Sequence, residues 1–171
     1  MGLWTHWQRT LRHLATDRRA LRHALDAAAL ARVQAAVAAS EQQHSGEIRV
    51  SVEAALPLSY LQRGLGSRER AVTLFGKLRV WDTEHNNGVL IYLLLAEHAI
   101  EIVADRGLAR EVPEATWRAM MKPMREAFQA SRFEEGLNQA IDAIDALLGR
   151  HFALDAGQTN ANELPDRPDL R

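Results

Sequence analysis

Acidic and amide side chains gather in residues 82–88, which read Asp-Thr-Glu-His-Asn-Asn-Gly, and Asp105 lies in a second turn further along the chain. Carboxylate and amide oxygens are the ligands that hard cations such as Ca²⁺ and Mg²⁺ prefer. The spacing differs from that of an EF-hand loop, and the pattern alone favours an ordinary turn in which Asn and Asp bond their own backbone. The candidate metal ligands, if the turn does hold an ion, are Asp82, Asn87 and Asp105, with Glu47 and Glu84 as further candidates.

Arg106 directly follows Asp105, and Arg110 lies four residues further on. A guanidinium beside carboxylates forms a plain salt bridge, or it holds a phosphate bidentately when a metal is present. The second arrangement would be that of a metal-assisted phosphomonoesterase, in which the cation polarises the phosphate and Arg106 contacts it. Both interpretations of Arg106 stay open at this point.

Other catalytic chemistries find no support in the sequence. The 171 residues include no cysteine, which excludes disulfides, thiolate metal sites and a cysteine nucleophile. The seven histidines lack the spacing of zinc enzymes, and neither a GxSxG nor a Walker A pattern is present. A net charge of −1 argues against nucleic-acid binding, which needs a basic face.

The elements that position these residues follow from hydrophobic periodicity. Ile48, Val50 and Val52 alternate with polar residues, which predicts a strand with one buried face. Residues 89–96 are an apolar run typical of a strand buried on both faces, and residues 99–104 return after a tight turn. A crossover helix makes the first two strands parallel, and the hairpin makes the third antiparallel. We expect an α/β protein, a three-layer α/β/α sandwich with a small mixed sheet of three to four strands, preceded by an N-terminal helical segment.

This topology brings the polar residues to one edge of the sheet. The stretch 82–88 enters the second strand and Asp105 leaves the third, so the hairpin places them side by side. Glu47 begins the parallel strand at the same edge. One end of the sheet is therefore expected to collect oxygen ligands from separate parts of the chain.

Capping signals predict where the helices begin and end. Ser67 is the expected N-cap of the crossover helix, and Ser131 with Glu134 has the capping-box spacing for the last helix. Gly149 is the expected stop of that last helix. Pro123 is expected to kink or break the helix before it.

Three segments divide the chain. Residues 1–26 form a basic amphipathic helical segment, residues 27–150 form the α/β domain, and residues 151–171 are expected to be a flexible polar tail with too little apolar content to order itself. No apolar stretch has the length of a secretion signal or a membrane span, so we expect a cytoplasmic protein.

The N-terminal segment carries an apolar stripe, formed by Trp4, Trp7, Leu11 and Leu14, beside a row of arginines. The sequence favours packing of this stripe on the domain or on a second copy of the chain, so we expect a protein partner or a homo-oligomer through these helices. The alternative is peripheral contact with an anionic membrane surface, which suits tryptophan on a basic amphipathic helix.

Short motifs across about residues 45–150 resemble the TPM domain family. They are Gly46-Glu47-Ile48, Asn87-Gly88-Val89-Leu90-Ile91, Glu101-Ile102-Val103, and then Pro123, Phe128, Phe133 and Gly136-Leu137. The resemblance implies an α/β/α sandwich and divalent-ion binding, which is known for some relatives, with Asp82, Asn87 and Asp105 at the matching positions. Many relatives have a Gly-aromatic-Gly turn where this chain has Asp105-Arg106-Gly107, and many carry a secretion signal and a membrane tail.

Two functions follow from the residues and the resemblance together. The preferred one is an accessory or assembly module that binds Ca²⁺ or Mg²⁺ at the acidic edge. The alternative is a metal-assisted acid phosphatase, since phosphatase activity is attributed to a few relatives. The accessory function is preferred because a shared fold is a poor guide to chemistry.

Overall fold

The computed structural model describes residues 3–155 and 157–171. Within them the chain forms eight α-helices and four strands, and a 3₁₀ turn at Leu95–Glu97 joins the second strand to the third. In chain order the elements are α1 (Leu3–Ala15), α2 (Arg18–Ala24), α3 (Ala27–Ser40), β1 (Ile48–Glu53), α4 (Leu58–Gln62), α5 (Ser67–Lys77), β2 (Val89–Leu94), β3 (Ala99–Ala104), α6 (Arg106–Glu111), α7 (Glu114–Gln129), α8 (Phe133–His151) and β4 (Asp169–Leu170).

The four strands form one mixed sheet in the order β3-β2-β1-β4. β1 runs parallel to β2, with Ile48 opposite Val89, and β2 runs antiparallel to β3, with Val89 opposite Ala104. β4 adds parallel to the other side of β1. The crossover and hairpin predicted from the sequence are confirmed, and the sheet has four strands.

Helices cover both faces of this sheet, as expected for a three-layer α/β/α sandwich. One face carries Ile48, Val50 and Val52 and packs against α3, α7 and α8. The other face carries Leu90 and Tyr92 and packs against α4 and α5. Two apolar cores on opposite sides of one sheet give the fold most of its stability, because apolar burial is the dominant favourable term in folding.

β1 differs from the expectation of one buried face, because all six of its residues are buried. Its polar residues lie on the second face, where each finds a partner. The Ser51 hydroxyl donates to Asp169 at 2.9 Å, and Glu53 accepts two bonds from Arg70 at 2.6 and 2.8 Å. Alternation of residue types therefore reports two chemically different buried faces here, not a buried and a solvated one.

Part of the segment for which the sequence predicts a flexible tail is instead ordered against β1. Arg171 N–H donates to the Val52 carbonyl at 3.0 Å, and Leu164 is buried in the second core. Arg49 donates to the carbonyls of Pro165 and Arg167. Hydrogen bonds to β1, together with the burial of Leu164, order this segment.

Two helix starts differ from the predicted ones. α5 begins at Ser67 itself, and Gly66 precedes it, with its N–H donating to Glu69 Oε2 at 2.8 Å. α8 begins at Phe133, and Ser131 does not cap it because its φ of +59° turns the chain left-handed just before the helix. The Ser131–Glu134 capping box is therefore absent, and Glu134 binds Arg32 instead.

Two helices run past residues where an interruption was predicted. α8 continues through Gly149 to His151, where the expected stop is not used. α7 runs from Glu114 to Gln129 with Pro123 inside it, so the helix is not broken there. Met124 and Phe128 on this helix are buried in the first core, and this packing offsets the hydrogen bond that proline removes.

Candidate functional site

The turn before β2 and the start of α6 meet at one edge of the sheet. Asp105 N–H donates to the Gly88 carbonyl at 2.8 Å, and Gly107 N–H donates to the Asn86 carbonyl at 2.8 Å. A Cβ on Gly107 would lie 2.4 Å from that Asn86 oxygen, so a larger residue would force the two segments apart. The contact expected from the hairpin topology is present, and we call it the turn–α6 junction.

Asn87 and Asp105 each present at this junction a buried oxygen without a hydrogen-bond partner among the described residues. Asn87 is fully buried; its Nδ2 donates to Ser45 Oγ at 3.2 Å, and its Oδ1 is the unpaired atom. Asp105 caps α6 through Oδ1, which accepts the Arg106 N–H at 2.7 Å, and its Oδ2 is unpaired. Leaving a buried polar atom unpaired costs about 1–3 kcal/mol, so each oxygen would gain from a bound cation or other donor.

The other predicted ligands of this turn lie at the surface. Asp82 and Glu84 are both exposed, and the Glu84 N–H donates to the Glu163 carboxylate at 3.1 Å. Arg106 is exposed, and its Nε donates to Asn86 Oδ1 at 3.0 Å. In the described part of the chain, no group of three His, Cys, Asp or Glu side chains is placed to hold a metal. An ion here would take one carboxylate, an amide oxygen and water, which is the donor set of hydrated Mg²⁺ rather than of a calcium cage.

Glu47, the remaining candidate ligand, points away from the junction and towards the C-terminal segment. Its Oε1 accepts from Asn160 Nδ2 at 2.9 Å, and its Oε2 accepts the Leu164 N–H at 3.0 Å. Burial raises the pKa of Glu47, although these hydrogen bonds act in the opposite direction. Both carboxylate oxygens of Glu47 therefore bind the C-terminal segment, and Glu47 does not join Asn87 and Asp105 as a candidate ligand.

Sequence reasoning missed Glu41, whose buried side chain lies near the buried Glu47 and the half-buried Asp166. Its side chain is buried, with Oε1 accepting the Ile48 N–H at 2.8 Å and Oε2 unpaired among the described residues. Burial, together with the nearby carboxylates, raises the pKa of Glu41 from 4.5 to about 8, although the hydrogen bond from the Ile48 N–H acts in the opposite direction. At neutral pH the carboxyl is therefore protonated. Only its position at the end of α3, a helix otherwise rich in alanine, could have drawn attention to it.

The described residues of the apolar stripe in the N-terminal segment are largely exposed. Trp7, Leu11 and Leu14 are 67%, 49% and 69% exposed, whereas Leu21 and Leu25, further along the same segment, are buried in the first core. The side chain of Trp4, predicted to belong to the stripe, lies outside the described part of the chain. Among the described helices, none is both long and apolar enough to cross a membrane.

Comparison with known proteins relates the chain to one family and to solved structures of the same fold. The family model for the TPM domain matches residues 20–147. The chain is similar to the BA42 protein from the psychrophilic bacterium Bizionia argentinensis, with 25% identity, a TM-score of 0.75 and coverage of 86% of this chain and 95% of that one. It shares its fold with the N-terminal domain of a protein from P. gingivalis, at 20% identity, a TM-score of 0.57 and coverage of 77% and 82%. No curated protein matches the chain.

Proposed function

The chain belongs to the TPM domain family, and from that premise we propose that it is a divalent-cation-binding accessory module with its ion at the turn–α6 junction. The observation that supports this proposal most directly is the pair of unpaired buried oxygens, Asn87 Oδ1 and Asp105 Oδ2. A hard cation prefers oxygen donors of these two kinds. Binding it would join the turn before β2 to the first residues of α6.

The donor set predicts a weakly bound, hydrated ion. Asp105 supplies a half-buried carboxylate at the junction, while Asp82 and Glu84 are exposed on the turn before β2 and add only long-range attraction. Mg²⁺ keeps several waters and needs one or two carboxylates, so it suits such a site better than Ca²⁺, which takes six to eight oxygen ligands. The ion would therefore stabilise the junction without being enclosed by protein.

The hydrogen bond that Arg106 makes favours the accessory role over phosphomonoesterase activity. Its Nε donates to Asn86 Oδ1 at 3.0 Å, so a bidentate grip on phosphate through Nε would first have to break this hydrogen bond. In its observed position, Arg106 instead helps to hold the turn against α6. The exposed guanidinium also lowers the net negative charge that a cation meets beside Asp105.

Replacing Asp105 by Asn is expected to abolish stabilisation by Mg²⁺ while leaving the apo fold intact. An asparagine keeps the size of the side chain and can still cap α6 through its oxygen, but it lacks the charge that attracts the ion. At a cation concentration about a hundredfold above Kd, the wild-type melting temperature should rise by roughly 5–10 °C, and the Asp105→Asn variant should show no such rise. Differential scanning calorimetry with Mg²⁺, with Ca²⁺ and with a chelator measures these shifts.

The matched control is Asp142→Asn, which removes an exposed carboxylate on α8 and should leave the cation-induced shift unchanged. Absence of any shift with either ion in the wild-type protein would end the cation proposal. Release of phosphate from p-nitrophenyl phosphate by the wild type, lost with a chelator and in Asp105→Asn, would replace the accessory role by the phosphatase one.

A further inference from the structure

α1 is attached to the rest of the fold by its polar side. Arg9 Nε donates to Glu97 Oε1 at 2.6 Å, and Arg9 Nη2 donates to the Leu65 carbonyl at 2.7 Å. His13 is buried and lies 2.9 Å from the same Glu97 oxygen. Among the described side chains of α1, those that contact the rest of the fold do so through hydrogen bonds and charge.

The histidine in this attachment is held in one tautomer. The Leu56 N–H donates to His13 Nδ1 at 3.1 Å, so Nδ1 is the acceptor and Nε2 carries the proton that it donates to Glu97. Burial raises the pKa of Glu97, but the bonds from His13 and Arg9 outweigh this effect and hold the pKa below its ordinary value. Because both sides of the contact are satisfied, the orientation of α1 is well determined.

This attachment directs the apolar side of α1 outward. Trp7, Leu11 and Leu14 recur at intervals of four and three residues, so they share one face of the helix, and all three are about half exposed or more. A free amphipathic helix would bury this face and leave the polar face in water. The helix is thus fixed with its apolar side to the outside, which is the arrangement of a docking surface.

The net positive charge of the segment that carries this face favours an anionic occupant. The segment 1–26 has five arginines against two aspartates. Arg9 is paired with Glu97, and both aspartates accept backbone N–H groups at helix N-termini. The remaining arginines, all of them exposed, are Arg12, Arg18, Arg19 and Arg22.

A second copy of the chain fits this face poorly. One side of a 13-residue helix, about 20 Å long, offers much less than the roughly 800 Å² that each partner buries in a stable dimer. A twofold contact between two α1 helices would also bring the same arginines of both copies together. An anionic lipid surface attracts the exposed arginines of the segment and accepts a short apolar face.

We propose that α1 docks this protein onto an anionic lipid surface, with Trp7, Leu11 and Leu14 entering the boundary between headgroups and acyl chains. Tryptophan and leucine on a helix flanked by arginine have the composition of helices that lie in the membrane interface. Attraction of the arginines to acidic headgroups adds to the apolar term and depends on salt. This docking does not depend on the cation site, which lies at a different part of the fold.

Co-sedimentation of the full chain with lipid vesicles tests the proposal. The wild type should bind vesicles that contain phosphatidylcholine and phosphatidylglycerol, and high salt should release it. Its affinity for vesicles of pure phosphatidylcholine should be lower by about tenfold or more. The variant Trp7→Ser/Leu11→Ser/Leu14→Ser should lose binding by about tenfold or more. A loss of similar size is expected for Arg12→Gln/Arg18→Gln/Arg19→Gln.

Trp81→Ser is the matched control, because Trp81 is a 51% exposed tryptophan outside α1, and its replacement should leave vesicle binding unchanged. The substituted side chains of α1 are exposed, so unchanged thermal melting will show that the variants fold. The proposal would be overturned if the wild-type protein bound neither type of vesicle. It would also be overturned if the serine variant bound the vesicles as well as the wild type does. A dimer seen by sedimentation equilibrium and lost in the serine variant would assign the face to a second copy instead. Asp105→Asn should bind vesicles normally, which separates this test from that of the cation site.

Discussion

Replacing Arg70 by Met is expected to destabilise the protein by about 3–5 kcal/mol, because it strands a carboxylate inside the second core. Glu53 and Arg70 are both buried, and the guanidinium donates to the two carboxylate oxygens at 2.6 and 2.8 Å. The Tyr92 hydroxyl donates to Glu53 as well, at 2.7 Å. Without Arg70, the buried carboxylate of Glu53 keeps only the hydrogen bond from the Tyr92 hydroxyl among these contacts. Urea unfolding, followed by circular dichroism, measures the loss.

A second variant separates the unpaired charge from the lost packing. In Glu53→Gln/Arg70→Met the amide oxygen still accepts from Tyr92, and no charge remains, so part of the stability should return. Arg118→Met removes an exposed arginine from an i,i+4 pair with Glu114 and should change stability little. If the double variant were no more stable than Arg70→Met, packing of the arginine stem would be the dominant contribution.

Replacing Glu41 by Gln is expected to stabilise the protein at alkaline pH and to flatten its pH dependence. The pKa of Glu41 is raised to about 8 in the fold, first by burial and then by the carboxylates of Glu47 and Asp166. Since the folded pKa lies above the unfolded value of 4.5, the favourable contribution of the protonated group is complete below that value and is lost as pH rises towards 8. The amide of Gln has no proton to lose and keeps an oxygen for the Ile48 N–H.

The expected difference in the free energy of unfolding grows with pH. At about 1.4 kcal/mol for each pH unit between the two pKa values, it reaches on the order of 5 kcal/mol above pH 8, relative to the difference below pH 4.5. Urea unfolding of both proteins across this pH range measures it. Glu135→Gln, which changes an exposed carboxylate, serves as the control. Parallel stability curves for the wild type and Glu41→Gln would show that Glu41 ionises at an ordinary pH.

The strands and their connections could be predicted because each is encoded in a local pattern. The alternation around Val50 and the apolar run from Val89 identify β1 and β2, and a hairpin must bring Asp105 beside Gly88. The helix ends were less predictable. The spacing of Ser131 and Glu134 satisfies a capping box in residue types alone, while the backbone at Ser131 is left-handed.

The burial of polar side chains could not be predicted, since it depends on partners far away in the chain. Glu53 is covered by Arg70, 17 residues later, and Ser51 by Asp169, 118 residues later. The residues around Glu41 in the sequence place it at the end of an alanine-rich helix, but they do not reveal that it is buried near the buried carboxyl of Glu47. Likewise, the periodicity of α1 identified its apolar face, but only the contacts of Arg9 and His13 with Glu97 decide that this face points outward.

The pairing of β1 with β4 has a consequence for synthesis on the ribosome. β1 acquires β2 as its neighbour after about forty residues, but its other edge waits for Asp169 and Leu170, more than a hundred residues later. Until they emerge, the nascent chain exposes an unpaired strand edge, the kind of surface at which chains join by mistake. Arg49 and Ser51 of β1, which later bind the segment that contains β4, make this edge polar and so disfavour such association. Pairing with β4 therefore removes this exposed edge of β1 late in synthesis.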